Sequence, residues 1–314
     1  MSRFLPLAAG SAAMTCVGGS VAVSAEIAGA PLFTLQSLRY ALACLLLLGF
    51  ARLTRARPVR PRGAEWLWLT GIAATGLVIF NLALVQGARH AEPAVLGVAV
   101  ACVPPLLAAL GPLLERRGPA PAVLAGAVVV TVGAGLVQGL GRTDGIGLAW
   151  AAVAFAGEAA FTLLAVPVLG RHGPVGVSVH TTWLAAVLLA ALGVLHEGPA
   201  AVLRLTGADL AAGAYLAVAV TAVAFVLWYA CVSRVGAGRA GLLTGIAPIA
   251  AALAGVTLGG PAPQPLVWAG IAVVGLGLAI GLRRTGPPAV PRTAPPPTGL
   301  VTVPLPAGVH EEIA

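Results

Sequence analysis

The chain has 314 residues, of which 59% are hydrophobic and only 9% charged, and its mean hydropathy is +0.99. That make-up lies outside the range of a soluble domain and excludes a cytosolic enzyme or nucleic-acid-binding module as the starting point. The formal net charge of +8 comes from 18 arginines without a single lysine, a basic balance that suits loops lying over anionic lipid.

Crossing a hydrocarbon core of about 30 Å takes roughly 20 apolar residues. Ten runs meet that length, at about 5–26, 32–51, 66–88, 93–114, 121–140, 146–169, 175–195, 210–233, 239–259 and 265–282. They are continuously apolar, whereas a membrane strand alternates over about ten residues, so they predict helices. The expected fold class is all-α integral membrane.

In the first run, Arg3 followed by an apolar stretch imitates a signal peptide. Thr15 before Cys16 fits a lipoprotein cleavage site poorly, so this run reads as a retained helix. Glu26 stands at its outer margin, where a solvated helix end competes with a place on a transport pathway. Arg39 lies inside the second run. It can snorkel to the headgroups as an anchor, its first reading, or point inward to pair with Glu26 or hold an anionic group through its fork of donors. Asn81 and Gln86 on the third run are further polar candidates for a cavity wall.

Pro104-Pro105 falls in mid-run on the fourth span, where a missing N–H and a ring clash bend the backbone. Glu158 lies about 12 residues into the sixth run, roughly 18 Å along a helix, which places it near the bilayer midplane. Ionisable groups at that depth are costly and mark function by default. A carboxyl there can take up and release a proton, the chemistry of a proton-coupled carrier, or hold a neighbouring helix as packing glue. His180 and Trp183 on the seventh run share a helical face, which suits a pocket or an interfacial belt, and Trp228 and Tyr229 near the end of the eighth pose the same choice.

Residues 91–140 reappear without a gap 144 positions later. Gly97, Pro104 and Gly111 recur as Gly241, Pro248 and Gly255, and Gly126 and Gly133 recur as Gly270 and Gly277. The paired mid-helix prolines, Pro104 and Pro248, point to a binding region with hinges or to static kinks. Five spans per copy bring the second copy in from the opposite side, giving two inverted five-helix repeats. The expected halves are 1–142 and 143–284, with 285–314 a disordered Pro-rich tail. With the N-terminus inside, 14 of the 18 arginines face the cytoplasm, Arg89, Arg142 and Arg204 fall outside and Arg39 lies within a span.

These features together resemble the drug/metabolite transporter superfamily, in particular its ten-helix group built of two EamA domains. The resemblance rests on Pro31-Leu-Phe-Thr-Leu-Gln-Ser-Leu-Arg39, the Ala-rich stretch leading to Pro104, Glu115 before the Gly126-to-Gly133 helix, and Ala247-Pro248 with the Gly270-to-Gly277 helix. It covers residues 5–284. Two positions depart from the family pattern: Gly259 stands where a second Glu115 would be, and Glu26 stands where relatives often carry a lysine. The resemblance implies a secondary carrier, an exporter of small amino-acid-like or amphiphilic metabolites. It would work by alternating access in a bacterial cytoplasmic (inner) membrane, with both termini in the cytoplasm.

The expected partners are a small-molecule substrate and the lipid bilayer. No nucleic-acid partner is expected, and the chain acts as a monomer or homodimer. Cys16, Cys44, Cys102 and Cys231 are scattered singly, so neither a metal nor another cofactor is expected. No GxxxxGK[ST] loop occurs, which argues against an ATP-driven pump, and no convergent catalytic groups point to an enzyme. An uncoupled facilitator and a flippase-like carrier of lipid-linked cargo remain the alternatives.

Overall fold

The computed structural model describes residues 4–20, 23, 29–56, 58–257, 259 and 262–283. Glu26 and the tail from residue 284 lie outside the described residues. Eight helices are long and apolar enough to cross a membrane: α2 (Leu32–Leu53), α3 (Glu65–Gly87), α4 (Pro93–Leu114), α5 (Pro121–Gln138), α6 (Gly145–Leu163), α7 (Val166–His196), α8 (Gly207–Val235) and α9 (Ala237–Thr257). Two shorter apolar helices, α1 (Phe4–Gly19) and α10 (Pro265–Gly281), complete the set among the described residues. Large apolar side chains stand on the outside of this bundle, among them Leu53 (85% exposed), Leu67 (77%) and Leu195 (78%). Water would make such a surface a liability; a bilayer solvates it.

The helix starts follow local chemistry. Proline opens α4, α5 and α10 at their first turns, where its missing N–H costs nothing. Asp144 caps α6 by accepting from the Gly147 N–H at 2.7 Å, and Thr206 and Asp209 form a reciprocal capping box at α8. The sixth apolar run predicts a helix to residue 169; α6 ends at Leu163, and a turn with helical φ/ψ at Leu164 and Ala165 carries the chain into α7. Pro167 starts a new stretch there, and Gly173 interrupts α7 at φ 65°, ψ 173° just before Pro174. Glycine reaches that left-handed φ without a Cβ clash, and the following proline could not continue the earlier helix.

The duplication extends well beyond the repeated sequence. The middle of α3 widens into a π-helical stretch over Ile72–Ile79, and the middle of α8 does the same over Leu216–Val223, each boundary displaced by 144. The break at Cys102 in α4 has its counterpart in α9, whose 3₁₀ turn Leu242–Gly245 precedes Pro248. Pro104 and Pro248 therefore each follow an interruption instead of bending a continuous helix.

The most extensive helix pair is α5 with α10, the matched fifth helices of the two halves. A Cβ added to Gly126 would stand 2.7 Å from the Gly277 carbonyl oxygen, and one added to Gly133 would stand 2.8 Å from that of Gly270. Only glycine permits this approach. Residue numbers rise along α5 as they fall along α10, so the two helices run antiparallel. Exchanging every residue for its counterpart 144 positions away returns the same pairs, which is the signature of two halves related by a two-fold axis across the bundle. The halves are inverted.

Two carboxylates tie one half to the other. Glu115, after α4, accepts the Ala237 N–H at the start of α9 at 2.8 Å. Glu197, at the end of α7, accepts the N–H groups of Phe33 and Thr34 at 2.9 Å each and the Thr34 hydroxyl at 2.7 Å. Each satisfies donors that a helix N-terminus leaves free.

Candidate functional site

Between the halves lies a cavity of about 510 Å³. One end is formed by Met14 of α1, Glu158 and Phe161 of α6, and Phe225 and Trp228 of α8. Its other end reaches Ala88, Pro93 and Gln138, where α3, α4 and α5 meet their loops. That end is opposite the one to which Arg52, Arg116, Arg171 and Arg239 belong. The wall is mostly apolar, with a few polar groups converging on it, the usual make-up of a small-molecule site.

Arg39 is turned inward from α2 and lines the cavity. Its Nε–H donates to the Thr221 hydroxyl at 3.0 Å and its Nη1 to Gln36 Oε1 at 3.2 Å. The headgroup-anchor reading of Arg39 is thereby corrected, because these bonds hold the guanidinium away from the helix end. Thr221 sits in the widened turn of α8 and donates its own hydroxyl proton to Leu216 O, five residues back, at 3.1 Å. Just past the widened turn of α3, Asn81 donates to the hydroxyl of Tyr40, the neighbouring residue of α2, at 3.0 Å and to Leu77 O at 2.6 Å. Thr221 and Asn81 thus address two adjacent residues of one helix. π-helical turns of this kind recur at functional sites.

Glu158 lines the cavity from α6, five residues before Leu163. The backbone keeps helical φ/ψ through Leu164 and Ala165 and first leaves it at Gly173, so Glu158 lies near the middle of the stretch from Gly145 to Gly173. Among the described residues its carboxylate accepts no hydrogen bond, and neither it nor Arg39 takes part in an ion pair. An aromatic cluster backs the site: Phe161 stands 4.7 Å from Phe225 and 5.0 Å from Tyr229, centroid to centroid. The Trp228 indole N–H is satisfied by Thr162 Oγ1 at 3.0 Å, leaving its ring to the cavity.

Of the residues singled out from sequence, Glu158, Arg39, Asn81, Trp228 and Pro248 come together on this wall, and the burial of Trp228 and Tyr229 corrects their interfacial-belt reading. Gln86, Pro104 and Pro105 do not line it, and neither does Tyr229, which is fully buried and donates to Phe161 O at 3.1 Å. His180 and Trp183 belong to a different network at the arginine-rich end. There the His180 Nε2–H meets Val59 O at 2.9 Å, and the Trp183 indole N–H donates to His180 Nδ1 at 3.3 Å. Beside them Glu65 pairs with Arg171 and with His172, whose ring is 5.4 Å from that of His180. Gln36, Thr221 and Gln138 were not foreseen. Gln36 had a signal, since it lies three residues before Arg39 and shares its helical face.

The loops next to Ala88, Pro93 and Gln138 are braced by two surface ion pairs. Arg142 Nε donates to Glu92 Oε1 at 2.7 Å, and His90 Nδ1 lies 3.0 Å from Asp144 Oδ2. The Arg142 guanidinium holds the Glu92 carboxyl below the ordinary range. For Asp144 the Gly147 N–H does the same, helped by His90.

Ten apolar helices in two inverted sets, closed around a cavity with one cation and one carboxyl, define a membrane transporter architecture. The sequence profile of the EamA-like transporter family matches residues 5–138 and again residues 145–283, and the chain belongs to that family. It is 27% identical over 278 residues to the uncharacterized transporter YetK of Bacillus subtilis (strain 168), covering 83% of this chain and 81% of that protein. A crystal structure of a protein 19% identical to it superposes with a TM-score of 0.73 over 90% of this chain and 98% of the other, which extends the likeness to the fold. Family and fold are those of the drug/metabolite transporter superfamily.

Proposed function

We propose that this protein is a secondary active exporter of small metabolites, amino-acid-like or amphiphilic, working by alternating access and coupled to protons through Glu158. The observation that carries this reading is a cavity-facing carboxylate that accepts no hydrogen bond among the described residues. Such a group is free to take either a proton or a cationic substrate group, but not both. Competition of that kind makes exchange obligatory: substrate leaves as a proton enters. Residues 1–142 and 143–284 serve as the two moving halves, and the membrane is a bacterial cytoplasmic membrane with both termini inside. In that orientation the cavity end at Ala88, Pro93 and Gln138 faces outward. The ties Glu115–Ala237 and Glu65–Arg171 then lie on the closed, cytoplasmic side. One chain surrounds the whole cavity, so a monomer suffices, and the work is translocation without catalysis.

The test is reconstitution with a pool of labelled amino acids and metabolites, with and without an imposed pH gradient, beside Glu158→Gln. Gradient-driven accumulation that disappears in the variant is the expected result. Flux indifferent to both gradient and substitution would leave a facilitator, with Glu158 as a packing group.

A further inference from the structure

We infer that Arg39 is the seat for a single oxyanion group, a carboxylate, on the transported molecule, and that Thr221 is the positioning residue that aims it. The inference rests on the transport reading and narrows its substrate class.

A guanidinium carries five N–H donors and does not lose its charge in a protein. Two of the five are taken, by Thr221 and Gln36, and both partners are neutral. Beside these, the guanidinium carbon lies 5.2 Å from the centroid of the neutral Tyr40 ring, and the ion pairs of the described residues leave Arg39 out. A cation that lines a mostly apolar cavity without a counter-charge is costly unless something supplies one. The three remaining donors form a fork, which matches the two oxygens of a carboxylate.

The fork is aimed from the other half of the molecule. Thr221 spends its proton on Leu216 O, so its oxygen lone pairs are turned to Arg39 Nε. That orientation depends on the five-residue step of the widened turn, which an ordinary α-helical turn does not offer. The apolar body of the ligand has its own walls in Phe80, Phe161, Phe225 and Trp228. Together these surfaces select a compact amphiphile with an aromatic or branched body and one negative end.

Three probes share one body and differ only in charge: phenylacetate, phenylacetamide and phenethylamine. Binding of each to the purified full-length protein in nanodiscs, by titration calorimetry, is the measurement. Phenylacetate is expected to bind roughly 10-fold more tightly than phenylacetamide, the scale of hydrogen bonds to a charged group. Arg39→Gln should erase that ratio. Thr221→Val, equal in shape, should reduce it severalfold, while Thr221→Ser should keep it; gel filtration and thermal unfolding verify that each variant is folded.

Glu158→Gln should leave the ratio intact, so a failure of proton coupling and a failure of the anion seat are separable. Equal affinity for the acid and the amide, no binding of any probe, or an unchanged ratio in Thr221→Val overturns the proposal. So does a 10-fold gain in phenylacetate affinity in Glu26→Gln, which would mean that Arg39 already has its counter-charge.

Discussion

The seam between α5 and α10 and the wall of the central cavity were built from the same duplication, yet they treat it oppositely. At the seam, matched positions hold the same residue, Gly126 with Gly270 and Gly133 with Gly277. Around the cavity, several lining residues have different chemistry at the position 144 away: Met14 against Glu158, Arg39 against Trp183, Asn81 against Phe225 and Leu84 against Trp228. A two-fold seam needs both partners to be equally small. A site that must tell a cation from an anion, or a proton from an amine, needs the two halves to differ.

The sharpest way to break that contrast is to damage the seam. Gly133→Leu places a side chain where the α10 backbone now runs, and its cost should be about 3 kcal/mol or more, enough to lose monodisperse protein on gel filtration. On the same helix pair, Gly275→Ala meets nothing within 4 Å and should unfold at the wild-type temperature. If the two variants behave alike, close approach is not what holds the halves together.

Glu158→Met probes the other side of the contrast by giving the cavity the residue that Met14 already supplies in the first half. The protein should fold normally and lose its response to an imposed pH gradient, with coupled flux down about 100-fold, the scale of a lost proton-transfer group. Retained coupling would move the proton site elsewhere.

A smaller effect is expected where the halves are tied by only one of two matched positions. Glu197→Ala strands three donors of α2 that the carboxylate now accepts, which should cost about 1–2 kcal/mol in thermal unfolding. Position 53, its counterpart, is an exposed leucine, and Leu53→Ala should change stability by only a few tenths of a kcal/mol.

The smallest effect concerns the loops bearing Glu92 and Asp144. Glu92 and Asp144 are held below their ordinary ranges in the folded protein. Each therefore adds stability that is complete above the ordinary carboxylate range and fades as pH falls through the depressed folded values. Thermal unfolding of wild type should soften on acidification below that range, and Asp144→Asn should flatten the slope. An identical slope in the variant would remove Asp144 from the account.

What could be read from the sequence was whatever depends on length or on local spacing. Apolar length gave the helix count, and the fixed offset between Gly126 and Gly270 gave the duplication. The gap between the sixth and seventh runs, 170–174, takes in Gly173, where the backbone turns; that α7 already begins at Val166 was illegible, because Pro167 sits inside the sixth run. The direction of Arg39 was illegible for a different reason: its partner, Thr221, lies 182 positions away, inside an apolar run where a lone threonine carries no signal. The widened turns themselves leave no mark in composition. They exist as a choice of hydrogen-bond partner, which is why Gln36, on the same face as Arg39, was the single component of its cradle that spacing could have disclosed.

The antiparallel crossing of α5 and α10 has a bearing on how such a chain is inserted. A half that serves in both orientations has no intrinsic up or down; its helices are indifferent to which side of the membrane they enter from. Direction must come from the loops, and there the duplication was not kept. Of the arginines, Arg60 and Arg204 alone stand 144 apart; Arg52, Arg116, Arg171, Arg234, Arg239 and Arg283 have His196, Gly260, Ile27, His90, Val95 and Gly139 as their counterparts. The helices are a copied text, and the arginines are its punctuation, placed anew in each half so that the same words are read in opposite directions.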